Sequence, residues 1–368
     1  MHILVTADTL GGVWTYTREL VTGLIQQGDT VTLVSFGDLP SARQTSWMER
    51  LPGLDYRPTA FKLEWMHDSE ADLVASSGYL ESVIAESKPD LLHLSQYYYG
   101  ALRCVVPRIV VAHSDVISWW MSVHQVMPEG TAWRRWYRHI VTRGLRQASA
   151  VVAPSAWMLE QIKNYYLEPA LGKVIYNGRT PALFNPQAAK DDHVLSVGRL
   201  WDQGKNVALL LLANTSMPVY IIGPDRHPER QSSAFAAEAL PPNIYLVPEQ
   251  SEAQLALTMA GCGIYAATSQ YEPFGLAPLE AALSRCAIVA SDIPSFRELW
   301  SEAAVFFHND DAASLSAALE RLAHDPGMRQ TYAERAYERA LKNFTAERMV
   351  SDYRTLYRSL VPATALSA

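Results

Sequence analysis

The chain has 368 residues, 49% of them hydrophobic and 19% charged, with 19 Gly and 21 Pro. That length favours two domains, and the composition excludes a disordered, collagen-like or low-complexity chain. The balance of 31 Lys and Arg against 38 Asp and Glu gives a formal net charge of −7, which argues against nucleic acid as a partner.

Cys104, Cys262 and Cys286 are few, odd in number and far apart, so neither a disulfide framework nor a CxxC metal site is expected. The opening run Met1 to Ala7 breaks off at Asp8 without a basic, then apolar, leader. No run of about 18 apolar residues follows, so a cytoplasmic protein is expected.

Short Val/Ile/Leu-rich runs at 2–7, 30–36, 91–94, 108–112, 149–154, 173–176, 194–198, 219–222, 264–268, 287–291 and 304–307 read as strands. They lack apolar/polar alternation, the pattern of parallel strands covered on both faces. Helix-period segments lie between most of them, giving an α/β chain. The first helix opens at Gly11-Gly12, carries Val13, Tyr16, Leu20 and Leu24 on one stripe and stops before Gly28. Asn185-Pro186 and the polar stretch Lys190 to His193 read as a junction, after which the alternation restarts near Val194. The last helix begins at Thr345 as N-cap and puts Val350, Tyr353, Leu356, Tyr357 and Leu360 on one face, which must dock. Two doubly wound halves follow, with ligands expected at the carboxyl ends of the strands.

Three segments at strand ends carry chemistry. Gly11-Gly12, between a strand and a helix, lets backbone N–H groups approach an anion; the ordinary alternative is a tight turn. The dinucleotide fingerprint GxGxxG is absent there. Gly198-Arg199 with Lys205-Asn206 supplies a fork and a point charge able to neutralise a diphosphate, where surface solvation is the alternative. Glu272-Pro273-Phe274-Gly275-Leu276-Ala277-Pro278-Leu279-Glu280 is the densest signal. Pro278 suits the first position of a helix, which would place Glu280 in the first turn as a cap or an acceptor for sugar hydroxyls.

The spacing Glu272 to Glu280 resembles the E-x7-E motif, in its E-x-F-G form, of glycosyltransferase family 4. Gly11-Gly12, His113, Pro154-Ser155, Asn177-Gly178, Gly198-Arg199 with Lys205-Asn206, Gly223, and Ser291-Asp292 followed by Glu298 agree in order, so the resemblance covers nearly the whole chain. It implies the GT-B fold: two Rossmann-like domains whose parallel sheets face each other across a deep cleft. The expected division is 1–178 on the acceptor side, 179–344 for donor binding, and a segment 345–368 whose helix packs back on the first domain.

The resemblance further implies a retaining transfer of a hexose from a UDP- or GDP-linked sugar to a hydroxyl acceptor, with no cofactor and no metal. Arg199 and Lys205 would hold the diphosphate, Glu280 the ribose and Glu272 the transferred sugar. The backbone of Phe274, Gly275 and Leu276 would meet sugar hydroxyls or phosphate, with Asn177 and Gly223 also on the donor side. Gly11 and Gly12 would approach the donor phosphate, and His113 a donor sugar hydroxyl.

Some positions depart from the family pattern. Arg179-Thr180 stand where a small apolar residue and Asp are usual, making Arg179 a further candidate phosphate ligand. Pro248, Arg285 and Ala287 replace residues that are commonly Gly, Gly and Pro. Tyr97 and Tyr98, and Trp119 and Trp120, offer rings for stacking on an acceptor, against a core-packing alternative. The Arg-rich segment from Trp133 to Arg146 reads as a solvated basic face over a packed apolar one, with a membrane-surface helix as the less favoured reading. A sugar phosphorylase on the same scaffold and a non-catalytic nucleotide-sugar or glycan-binding protein are the rival functions. No oligomer is assigned.

Overall fold

A computed structural model of the chain describes residues 1–227, 230–233 and 240–361. Residues 362–368 of the expected 345–368 segment lie outside the described residues. The chain divides into two units: Met1–Ser118 with Val126–Gly178 and the segment from Ala346, and Trp119–Gln125 with Arg179–Thr345.

The first unit is built on seven strands: β1 (His2–Asp8), β2 (Thr30–Phe36), β3 (Leu54–Pro58), β4 (Leu91–Leu94), β5 (Arg108–Val111), β6 (Ala150–Ala153) and β7 (Gly172–Val174). All pair in parallel, in the order β3-β2-β1-β4-β5-β6-β7. The second unit contains β8 (Asp191–Val197), β9 (Val219–Ile222), the antiparallel pair β10 (Arg226–His227) and β11 (Arg230–Ser233), then β12 (Ile244–Val247), β13 (Cys262–Ala267), β14 (Ala287–Ser291) and β15 (Ala304–Phe307). Its six-stranded parallel sheet runs β12-β9-β8-β13-β14-β15. The reading of two doubly wound α/β sheets therefore holds.

Helices cover both faces, which is why the central strands tolerate unbroken apolar runs: Ile3, Leu4 and Val5 of β1 and Ile264 and Ala266 of β13 are all fully buried. Of the four edge strands, β7 and β15 coincide with expected runs, whereas β3 and β12 were not among them. β3 reads Leu-Asp-Tyr-Arg-Pro, and its residues are only partly buried or exposed. An edge strand meets one neighbour, so its sequence need not be apolar on both faces.

The Gly12–Gln26 helix buries Trp14, Tyr16, Leu20, Val21 and Leu24. The Ala346–Leu360 helix buries Met349, Val350, Tyr353, Leu356 and Tyr357 in the same core. The two pack closely, since a Cβ added at Gly23 would lie 2.5 Å from Val350 Cγ2. Arg354 adds an ion pair to the buried Asp29 at 2.8 Å. Between them, His93 of β4 joins the Tyr16 hydroxyl (3.1 Å) to the Tyr357 hydroxyl (2.6 Å). Burial pulls its pKa down to about 3, so it serves as a neutral hydrogen-bonding link.

In each sheet the chain order reverses beside the first strand, between β1 and β4 and between β8 and β13. Crevices outside the carboxyl ends of strands at such switch points are where open α/β sheets bind ligands.

Candidate functional site

The second switch point gathers most of the singled-out residues. β8 ends at Val197, and the loop beyond it is held by Gly198 N–H donating to Ile222 O (3.0 Å) and Leu200 N–H to Pro224 O (3.0 Å). Gly223, with φ of 152°, comes so close that an added Cβ would lie 1.8 Å from Gly198 O. Backbone approach alone therefore demands glycine at this position.

Asp202, which sequence reasoning did not single out, organises the loop. One carboxylate oxygen accepts from Gly204 N–H (2.9 Å) and from the Trp119 indole (3.3 Å), and the other from Arg199 (2.6 Å). The readable signal was an Asp two residues before a glycine, the pattern of a side chain closing its own turn. The Gln203–Lys205 turn then fixes Lys205 beside β13: Thr268 Oγ1 donates to Lys205 O (3.0 Å), and Gln270 N–H donates to Gly204 O (2.9 Å).

Lys205 Nζ forms an ion pair with Glu272 Oε2, which also accepts from Ser269 Oγ at 3.4 Å. These groups line a small pocket at the carboxyl edge of β8 and β13, with Ser196, Tyr265 and Gly275. Gly275 takes φ of 87° and starts the Leu276–Leu283 helix, which has no side-chain cap. Phe274 is buried edge-on against Phe344, 5.4 Å away. The helix thus begins two residues earlier than expected. Pro278 is its third residue, and Glu280 lies in the second turn rather than the first. Proline fits anywhere in a first turn, because those N–H groups have no partner within the helix.

Glu280 is buried, and its Oε1 lies 2.9 Å from Arg179 Nε. Arg179 is itself fully buried and also pairs with Glu252. That corrects its reading as a further phosphate ligand, because a guanidinium sealed between two carboxylates has no surface to offer. Each cation of the diphosphate candidate pair likewise meets a carboxylate, Arg199 with Asp202 and Lys205 with Glu272. The four charges cancel, so an incoming anion must take over partners already in place rather than fill a bare positive site.

At the first switch point Gly11 (φ 68°) precedes the Gly12–Gln26 helix, whose N-terminus has no side-chain cap, and an added Cβ at Gly11 would meet nothing within 4 Å. His113 follows β5, its ring edge-on to Tyr16 at 4.6 Å, and burial lowers its pKa to about 3. Its Nε2 is buried without a protein partner, as are Ser95 Oγ and both side-chain polar atoms of Gln96 beyond β4. Buried polar atoms of this kind call for a partner such as water or a bound molecule. Ser95 and Gln96 were missed because a sequence does not show which polar groups lack partners. Asn177 Oδ1 is likewise buried without one.

Glu64, also missed, is buried beneath the same edge and accepts from Tyr97 N–H (2.9 Å) and Tyr98 N–H (2.7 Å). Burial outweighs these bonds and pushes its pKa up to about 7. Tyr97 is 3% exposed with its hydroxyl donating to Ser114 O, so its ring is packed and offers no face for stacking. Tyr98 is partly exposed, and Trp119 and Trp120 lie beside His124 in the Val116–His124 helix.

Among the described residues no three or more His, Cys, Asp or Glu side chains come together as a metal site. Among them, too, no helix is long and apolar enough to cross a membrane. In the Ala132–Gln147 helix Tyr137, Ile140, Val141 and Leu145 are buried, while Arg135, Arg138, Arg143 and Arg146 are exposed.

The family model described as Glycosyltransferase Family 4 matches residues 10–182, and that described as Glycosyl transferases group 1 matches residues 183–339. The chain belongs to glycosyltransferase family 4. This family-4 chain is 36% identical over 100 residues to the lipopolysaccharide core biosynthesis mannosyltransferase LpcC of Rhizobium leguminosarum bv. viciae. That match covers 27% of this chain and 28% of LpcC, well under two thirds of the relative's length. Sucrose-phosphate synthase from Thermosynechococcus elongatus superposes with a TM-score of 0.79 at 18% identity, covering 98% of this chain and 99% of that one. Anabaena HepE in complex with UDP-glucose gives 0.74 at 16% identity, covering 98% and 100%. These neighbours share the GT-B fold.

Proposed function

We propose that the chain transfers a hexose from a nucleoside diphosphate sugar to a hydroxyl acceptor, with retention at the anomeric carbon and without a metal. The observation that carries this reading is the Lys205–Glu272 pair in the pocket at the β8/β13 switch point, with Arg199 on the loop beside it. HepE, of the same fold, is described with UDP-glucose, which supports a nucleotide-sugar donor.

On donor binding the diphosphate displaces the carboxylates from Arg199 and Lys205. The bond from the anomeric carbon to the phosphate oxygen then breaks, and the two cations absorb the charge that develops on the leaving group. The acceptor oxygen bonds to the same face of that carbon, and its proton passes to a leaving phosphate oxygen, so no separate base is needed. Glu272, released from Lys205, orients the sugar and stabilises the oxocarbenium-like centre.

The test is a panel of UDP-, GDP- and ADP-sugars with glycan, lipid-linked and small hydroxyl acceptors, read by mass, with the product anomer read by proton NMR. Transfer with retention, unaffected by EDTA and lost in Glu272→Ala, is expected. Turnover untouched by Glu272→Ala, an inverted product, or loss of activity with EDTA restored by added metal would contradict the corresponding part of the reading. Glycan cleavage that needs inorganic phosphate and no nucleotide would favour a phosphorylase instead.

A further inference from the structure

We propose that Arg179 is a positioning residue for Glu280: its sealed guanidinium holds the carboxylate that reads the ribose of the nucleoside diphosphate. The inference rests on the donor reading above.

Arg179 has no solvent-exposed side-chain surface. A guanidinium stays charged, so burying it requires compensation on more than one side. That compensation is present. Nε lies 2.9 Å from Glu280 Oε1, Nη2 pairs with Glu252, and the group sits over the Phe184 ring at 5.4 Å. The backbone is fixed as well, with Arg179 N–H donating to Phe344 O at 3.0 Å and a parallel bridge to Thr345. Backbone and tip are therefore both anchored, and the fork meets Glu280 from a fixed direction.

Glu280 needs such a partner. Its side chain is 12% exposed, and burial without a counter-charge disfavours an ionised carboxylate. A protonated carboxyl has a donor of its own, whereas an ionised one only accepts. Vicinal ribose hydroxyls are donors, so a carboxylate held against the Arg179 guanidinium is matched to them. Glu280 sits in the second turn of the Leu276–Leu283 helix, whose first residues Leu276, Ala277 and Pro278 line the pocket together with Lys205 and Glu272.

The test is calorimetric titration of the folded protein with UDP, GDP and ADP, followed by the 2′,3′-dideoxy analogue of whichever binds. Wild type should favour the ribonucleotide by about tenfold or more, the size of a lost hydrogen bond to a charged group. Glu280→Gln and Arg179→Met should each bring that preference to within about twofold. The double variant should fall no further, because both changes remove the same contact. Arg179→Lys, which keeps the charge without the fork, should be intermediate.

Circular dichroism checks that each variant is folded. If Arg179→Met does not fold, Arg179→Lys and Glu252→Gln carry the test through the same ratio, since a merely structural arginine would change stability and leave ribose preference alone. A wild-type preference retained in the folded Arg179 variants would overturn the inference while leaving the donor reading intact. Failure of wild type to bind any of the three nucleotides would overturn the donor reading itself.

Discussion

Breaking the Lys205–Glu272 pair should separate its contribution to stability from its part in catalysis. The two side chains are 24% and 12% exposed, between a sealed pair and a surface pair. Removing one partner of a buried pair costs about 3–5 kcal/mol, and an exposed pair is worth about 0.2–1 kcal/mol. Lys205→Met or Glu272→Gln should therefore destabilise the second unit by about 1–3 kcal/mol, because each leaves one charge without its counter-ion. The double variant leaves none and should recover about 1–2 kcal/mol of the summed loss, the coupling expected of groups in contact. Urea denaturation followed by tryptophan fluorescence, on wild type, both single variants and the double, measures that coupling. A value below about 0.5 kcal/mol would refute the reasoning, since that is the scatter of independent sites. Turnover should behave differently. All three variants should lose on the order of a hundredfold, because restoring charge balance does not restore a group that stabilises the leaving diphosphate.

Gly223→Ala should destabilise the second unit by roughly 3 kcal/mol or more, from a positive φ combined with a Cβ 1.8 Å from a carbonyl oxygen; a denaturation midpoint equal to wild type would contradict the close approach. The pH dependence of the first unit has a definite sign. His93 and His113, with pKa about 3 in the fold, leave the unfolded chain holding about two extra protons at pH 5, falling to about one at pH 6.3, whereas Glu64, at about 7, leaves the folded chain holding about one. Of these three groups the histidines make stability rise with pH, and Glu64 opposes them as pH climbs from about 4.5 toward 7. Glu64→Gln should therefore steepen the rise by about 1.4 kcal/mol per pH unit, one proton's worth. Equal slopes in urea titrations between pH 5 and 6.3 would show that Glu64 is already ionised there.

The core of both sheets was legible because strands buried on two faces leave unbroken Val/Ile/Leu runs, and the edge strand β3 was not because its Leu-Asp-Tyr-Arg-Pro sequence carries no such run. The motif loops were legible by position: Gly198-Arg199 and Glu272 to Glu280 follow strands that turn out to flank the switch point. Partner choice was not. Nothing in the spacing of Asp202, Arg199 and Lys205 shows that both cations already hold carboxylates, or that Arg179 faces inward to Glu280 and Glu252. Glu64 lies in an irregular loop between Leu63 and Trp65, whose folded path alone brings it under the Tyr97 and Tyr98 amides. Pro278 misled because its preference for a first turn does not specify which residue of that turn it occupies.

The central claim is that Arg199 and Lys205 exchange their carboxylate partners for the diphosphate of a nucleotide sugar. Calorimetric titration of wild type and of Arg199→Ala/Lys205→Ala with UDP, GDP and ADP tests it most directly. The account predicts one site per chain in wild type for at least one nucleotide, weakened about a hundredfold or more in the double variant, as loss of two charge-assisted contacts requires. Binding of equal strength in the two proteins, or none in wild type, would contradict it.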